Sequence, residues 1–236
     1  MAPEGSFTRN RLLVAMAPAD RELILRNGER QPLEWRQVIE MPGKAIGHVY
    51  FVEEGLVSVV AHASRGRQIE VGMVGFEGMT GAGVVLGDDH AVNQAIVQAT
   101  GTALRLSTSN LRNAIDASPT LHRTLLRYMH AFLSQTSQTA LINATAKLEE
   151  RLARWILMSH DRLGTDDMRL THEFLSIMLG VRRPGVTLAL HHLEAKGLIK
   201  VHRSRITVVD RNGLKSRADG NYGPAEGQYD RLFGAK

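Results

Sequence analysis

Five side chains near the C-terminal third of the chain stand at spacings that suit contact with a polyanion. Arg183, Thr187, Leu188 and His191 share one face of a helix, with Arg182 at its very start. The opposite face carries Val186, Leu190 and Leu193, an apolar stripe at helical spacing. Pro184 is tolerated in the first turn, whose N–H groups lack intrahelical partners. Guanidinium groups on such a face can donate to phosphate oxygens and to the acceptor atoms of base edges. Lys200, His202, Arg203 and Arg205 follow closely and add a second basic group.

The flanking residues supply what is needed to hold that face. Thr171 is a good N-cap, and Phe174, Leu175, Met178 and Leu179 recur at helical spacing behind it. Gly180 ends this first helix where a left-handed residue is needed, and Gly197 ends the second. Leu198 to Val201 and Ile206 to Val209 then read as two strands around His202-Arg203-Ser204-Arg205. The economical reading is a helix-turn-helix followed by a basic wing.

This segment resembles the DNA-binding domain of the cyclic-AMP receptor protein/fumarate-nitrate regulator (CRP/FNR) superfamily. The residues that carry the resemblance are Leu170-Thr171, Gly180-Val181-Arg182-Arg183, Val186, Leu190, Leu193-Glu194 and Gly197-Leu198-Ile199. It implies that Arg183 reads a base, where a bidentate pair with guanine discriminates by about 1–3 kcal/mol. Thr187 and Leu188 join it as base-reading candidates, Leu188 through a thymine methyl. Thr171, Arg182, His191, Lys200, His202, Arg203 and Arg205 are the phosphate-contact candidates. The family often has a Glu after the reading Arg and a second Arg further along. Here those positions hold Pro184 and Leu188, so the target sequence should differ from the best-known family operator.

Upstream, short strands alternate with Gly-containing turns. Val49 to Val52, a turn at Glu53-Glu54-Gly55, Leu56 to Val60, a second turn at Ser64 to Arg67, Ile69 to Val71, Ala95 to Ala99 and Ala103 to Leu106 predict an antiparallel roll. The stretches VYFVEEGLVSVV and EVGMVGFEGMTG resemble the family's cyclic-nucleotide-binding-type sensor domain. An effector pocket would then involve Gly75, Glu77, Gly78, Asn93 and Gln94. Asn93-Gln94 stands where the family's phosphate-binding Arg pair would be, and without that Arg a cyclic phosphate lacks its charge partner. Cyclic AMP is therefore not expected as the effector.

Between the two halves, Leu121, Leu125, Tyr128, Phe132, Gln135, Thr139 and Ile142 alternate steps of four and three, a heptad seam. The resemblance implies a dimerisation helix here, with polar Gln135 and Thr139 fixing register. A helix packed on its own sensor domain would show the same spacing. A dimer would set two recognition helices about 34 Å apart and read an inverted repeat.

The fold expected is α+β: a sensor roll with N-terminal helices over 1–118, a dimerisation helix over 119–143, a winged helix-turn-helix over 144–212 and a weakly ordered tail to 236. Tyr222, Tyr229 and Phe233 are the tail residues able to dock. At 236 residues there is room for two cores, and the 43% hydrophobic and 22% charged content is that of an ordinary globular chain. Lys and Arg exceed Asp and Glu by 29 to 24, which suits a polyanionic partner without requiring one. The absence of cysteine excludes disulfides, thiolate metal sites and a cysteine-held iron–sulfur cluster. No apolar run approaches a membrane span, and the N-terminus lacks a secretory apolar segment, so the cytoplasm is the expected location.

No nucleophile elbow, phosphate-binding loop or paired acid stands out, and no catalysis and no cofactor are expected. Asp88-Asp89 reads as a solvated loop pair. His48, His62 and His90 lack chelating spacing, and adjacent His191-His192 point in different directions. Expected partners are double-stranded DNA and a second copy of the chain, with RNA polymerase and a small-molecule effector admitted by the resemblance. The rivals are a constitutive DNA binder, and a haem- or metal-binding jelly roll with an appended winged helix.

Overall fold

The chain begins with two helices whose start signals are legible. In the computed structural model, which describes residues 8–203 and 205–234, the Asn10 side chain accepts from the Leu13 N–H and caps α1 (Arg11–Val14). Pro18 opens α2 (Pro18–Asn27), because its fixed φ and missing N–H cost nothing there.

Five strands follow: β1 (Glu29–Leu33), β2 (Val38–Glu40), β3 (His48–His62), β4 (Gln68–Val74) and, after the short α3 (Ala82–Val85), β5 (Gln94–Ser107). They form one sheet in the order β1-β5-β3-β4, with β2 also on β5; β1 and β2 run antiparallel to β5. The expected roll is present, but two of its expected interruptions are not. Glu53-Glu54-Gly55 is no turn: β3 runs through it without a break. Tyr50 and Val52 before Gly55, and Val57 and Val59 after it, pack on the same cluster. That change from even to odd positions means one extra residue is taken up there, as in a β-bulge.

Gly55 has φ +92°, and a Cβ on it would meet the Ala99 carbonyl at 2.6 Å. On the facing strand a Cβ at Gly101 would run into the Glu54 carbonyl. These glycines serve close backbone approach within the sheet. For the same reason Ala95 to Ala99 and Ala103 to Leu106 are one strand, β5, with Gly101 inside it.

Two apolar clusters fill this half. One gathers Leu12, Leu13, Ile24, Phe51, Leu104 and Leu111, the other Leu33, Val52, Val57, Val74 and Val97. α4 (Thr108–Ala117) is capped by Ser107, whose side chain accepts from the Asn110 N–H. The long α5 (Pro119–Thr145) comes next.

The second half opens with α6 (Leu148–Leu163), where the Glu150 carboxylate reaches back to accept from the Lys147 N–H at 3.1 Å, and which stops at Gly164 in the left-handed region. Every residue from Leu152 to Ser159 is buried, so this helix is enclosed on all sides along its middle. Next come β6 (Asp167–Arg169), α7 (His172–Met178), α8 (Arg183–Ala195), β7 (Ile199–His202) and β8 (Arg205–Val208). The three strands form a sheet in the order β6-β8-β7. The expected weak tail is instead helical: α9 (Arg211–Arg217), capped by Asp210, and α10 (Pro224–Phe233). Its aromatic side chains dock, which supplies the burial that its Gly-rich sequence hides.

The described chain divides into two compact units, one of residues 8–59, 73–133 and 229–234, the other of 60–72 and 134–228. α5 is thus shared between them. Among the described residues no helix is long and apolar enough to cross a membrane.

Candidate nucleic-acid interface

α7 is fixed at both ends. Thr171 Oγ1 accepts from the Phe174 N–H at 3.1 Å. At the other end the Val181 N–H donates to the Ser176 carbonyl at 2.9 Å across Gly180, which takes φ +62°. The Arg151 guanidinium donates to the Leu179 carbonyl and, at 3.1 Å, to Asn143 Oδ1, so a cation sits where the helix dipole is negative. Burial lowers the pKa of Arg151.

α8 begins after Arg182, with Pro184 in its first turn. Val186, Ala189, Leu190 and Leu193 are buried and set its orientation. Arg182, Arg183, Leu188 and His191 are all exposed on the other side. Leu188 keeps 58% of its surface open, the large apolar side chain that α8 leaves exposed. Thr187 differs from expectation. It is half-buried, 3.2 Å from the Arg183 carbonyl and 2.9 Å from Nδ1 of His172.

His172 is a residue that sequence reasoning missed; only the crossing of α7 and α8 brings it to Thr187. Its pKa is lowered by burial first, then by the charges of Arg183 and His191. At the far end of α8, His192 Nδ1 lies 2.5 Å from Glu149 Oε1, and Arg217 binds the same carboxylate. These two hold Glu149 below the usual carboxylate range, the His192 hydrogen bond most strongly.

In the wing, Lys200, His202 and Arg203 are exposed, and His202 pairs with Arg205 across the hairpin. Arg203 takes φ +38° at the turn. Arg205 forms an ion pair with Asp167 of β6, so its charge is partly spent inside the domain.

The seam on α5 does not face outward. Leu121, Leu125 and Tyr128 are buried in the first apolar cluster of the roll, and Phe132 packs partly buried on the second. Gln135, Thr139 and Ile142 are buried too, Thr139 accepting from Arg154 Nη1 at 3.3 Å. Heptad spacing identifies residues that share a face, not the molecule that covers it. The large apolar side chains that α5 leaves exposed are Leu126, Leu133 and Leu141.

Part of the stretch read as an effector pocket is held by the chain's own side chains. Gly75, Glu77 and Gly78 lie in the loop after β4, and its carbonyls are taken in succession. Tyr229 Oη donates to Glu77 at 2.6 Å, Asn10 Nδ2 to Gly78 at 2.7 Å and Tyr128 Oη to Met79 at 3.1 Å. A Cβ on Gly78 would run into Tyr128 Oη, so this glycine exists for packing. Asn93 precedes β5 and Gln94 begins it. Elsewhere Asp88, Asp89 and His90 converge at the surface, and Arg112 pairs with Asp89 at 3.1 Å. That hydrogen bond is the main reason the Asp89 carboxyl is held below its ordinary range.

A recognition helix with arginines and one leucine on its open face, a basic wing, and a separate sheet-based unit define a two-part regulator with a helix-turn-helix DNA-binding domain. Residues 150–217 match the family model of the Crp-like helix-turn-helix domain, and residues 30–118 that of the cyclic nucleotide-binding domain. The chain is 25% identical over 191 residues to the global nitrogen regulator of Nostoc sp. (strain PCC 7120 / SAG 25.82 / UTEX 2576), over 75% of this chain and 84% of that protein. Its fold is similar to that of FixK2 from Bradyrhizobium japonicum, with a TM-score of 0.68 at 18% identity, covering 80% of this chain and 96% of the other. It is also similar to TTHA1359, a CRP/FNR family regulator from Thermus thermophilus, with a TM-score of 0.64 at 23% identity, covering 81% and 98%. The chain belongs to the CRP/FNR family of transcriptional regulators.

Proposed function

We propose that the protein is a homodimeric regulator that reads an inverted-repeat operator with α8 and is not controlled by cyclic AMP. The observation that carries this reading is the open face of α8: Arg183 and Leu188 stand exposed opposite a fully buried stripe, ready for a guanine edge and a thymine methyl. Arg182, His191, Lys200, His202 and Arg203 surround them as phosphate contacts that position without specifying. Work at promoters beside RNA polymerase, in the cytoplasm, belongs to the same reading.

A second copy is the partner proposed for α5. Leu126, Leu133 and Ala140 recur every seven residues on the exposed side, with Leu141 beside them. Leu133 is 61% and Leu141 54% exposed, and an apolar stripe of this period is covered economically by its own symmetry mate.

Loss of cyclic-nucleotide control is supported by Asn93-Gln94, neither of which carries charge for a phosphate. The loop 75–80, whose carbonyls accept from the chain's own Asn10, Tyr128 and Tyr229, favours a second reading: DNA binding with no effector at all. Selection of bound sites from random DNA, with and without cell-extract metabolites, tests both. Inverted repeats with half-site centres about 34 Å apart are expected. Single half-sites would remove the dimer, and absence of any sequence preference at moderate salt would remove the whole proposal.

A further inference from the structure

The match to the Crp-like helix-turn-helix domain ends at residue 217, yet the chain continues, and its residues 229–234 belong to the unit that holds the sensor sheet. Six residues make a dense set of contacts there. Tyr229 keeps only 8% of its surface and joins the apolar cluster of Leu12, Phe51 and Leu121, while Leu232 and Phe233 pack at its edge. The Tyr229 and Phe233 rings lie 5.0 Å apart. The Arg11 guanidinium stands 5.0 Å from the centre of the Tyr229 ring and 3.1 Å from Asp230. Arg127 covers Phe233 at 5.4 Å and donates to the Leu232 carbonyl. Tyr229 Oη reaches Glu77, in the loop that the family resemblance assigns to effector binding.

We propose that residues 229–234 form a latch that couples loop 75–80 to the DNA-binding half. The latch is continuous in sequence with α9, which packs on α6 of the recognition unit. Its polar ties are of the reversible kind, since the Arg11–Asp230 ion pair is largely exposed and such pairs are individually weak. Whatever moves Glu77 away from Tyr229 frees the strap, and whatever favours the free or the docked strap acts back on the loop. Operator binding and strap docking then share one coupling free energy, so each changes the other by the same factor. This inference rests on the DNA-binding reading above.

The test uses the full chain and the operator obtained by selection. Tyr229→Phe keeps the ring and removes the hydrogen bond to Glu77; Tyr229→Ala and Arg127→Ala loosen the packing. Hydrogen exchange of residues 75–80 and 229–233 should rise in all three while the circular dichroism of the rest is retained. Operator affinity should shift by about fivefold or more in Tyr229→Ala. Adding operator to the wild type must then change the protection of 229–233 with the matching sign: if release tightens binding, DNA must loosen the strap. Operator affinity within about twofold of wild type in a variant whose strap is shown to be free would overturn the latch, as would opposite signs in the two measurements. A wild-type chain that binds no DNA would instead sink the functional reading, and the latch's output with it.

Discussion

His172 Nδ1 and Thr187 Oγ1 lie 2.9 Å apart and join the two helices of the DNA-binding pair at their solvent edge. Thr187 also bonds to the Arg183 carbonyl one turn earlier, so its hydroxyl is engaged within the protein. Of the three residues proposed to read bases, Thr187 is thus the one whose hydroxyl is committed within the protein, while Arg183 and Leu188 stand exposed. Burial, then Arg183 and His191, lower the pKa of His172. Its ring should titrate below the ordinary value of about 6.5 when followed by nuclear magnetic resonance. The sign follows from linkage: above about 6.5 both states hold the ring neutral, and as pH falls below it the unfolded chain binds the proton first. Stability is thus lost from about pH 6.5 down to the native pKa, and His172→Asn should flatten that part of the profile. An unchanged profile would show that the ring is not held neutral by this packing.

Arg183→Ala should relax the preference at one position of each half-site by about 1–3 kcal/mol, leaving other positions as they were. Lys200→Ala should weaken binding to all sequences alike and lower the salt slope by about one. Binding measured on a panel of single-base operator variants separates the two outcomes. Equal losses on every sequence for both substitutions would remove the base-reading role of Arg183.

On α5 the two neighbours Phe132 and Leu133 meet different surroundings. Phe132 packs on the second cluster of the roll, whereas Leu133 is 61% exposed. Leu133→Asp should separate the protomers in sedimentation with little change in thermal stability of the monomer. Phe132→Asp should cost several kcal/mol, on the order of 3, because it buries a charge against apolar neighbours. A Leu133→Asp protein that stays dimeric would reject this face of the helix as the interface.

Tyr222 donates to Asp161 at 2.5 Å and accepts from Arg211 at 2.9 Å. Burial, then the Asp161 carboxylate, push its phenol up to about 12. Ultraviolet titration should show one tyrosine ionising near that value. Because the native pKa is raised, its contribution is complete below about pH 10 and is lost as pH rises towards 12. Tyr222→Phe should cost about 1 kcal/mol at neutral pH and abolish this alkaline loss. If the wild type loses no more stability than the variant between those values, the network does not hold the phenol neutral.

Periodicity and caps were enough for the local elements. Thr171, Pro184, Gly180 and Gly197 act where their backbone chemistry says they should, and Val186, Leu190 and Leu193 are buried as a stripe of that spacing demands. The helix-turn-helix and its exposed arginines were therefore legible, because each depends on neighbours within a few residues. The same local signals failed at Gly55 and Gly101. A glycine marks either a turn or a close approach of two strands, and only the partner strand distinguishes them.

What the sequence alone determined is which side chains share a face of the helices α5, α7 and α8, and where α7 and α8 start and stop. The tertiary structure decided what those faces meet: α5 turns its first seam into its own chain and leaves Leu126, Leu133 and Leu141 outside. It also decided that Tyr229 closes on Glu77 across most of the chain's length, where sequence suggested a loose tail. The physical reason is common to both. Spacing fixes direction around a helix axis, but burial is a property of the surface that arrives from elsewhere, and no local pattern records that arrival.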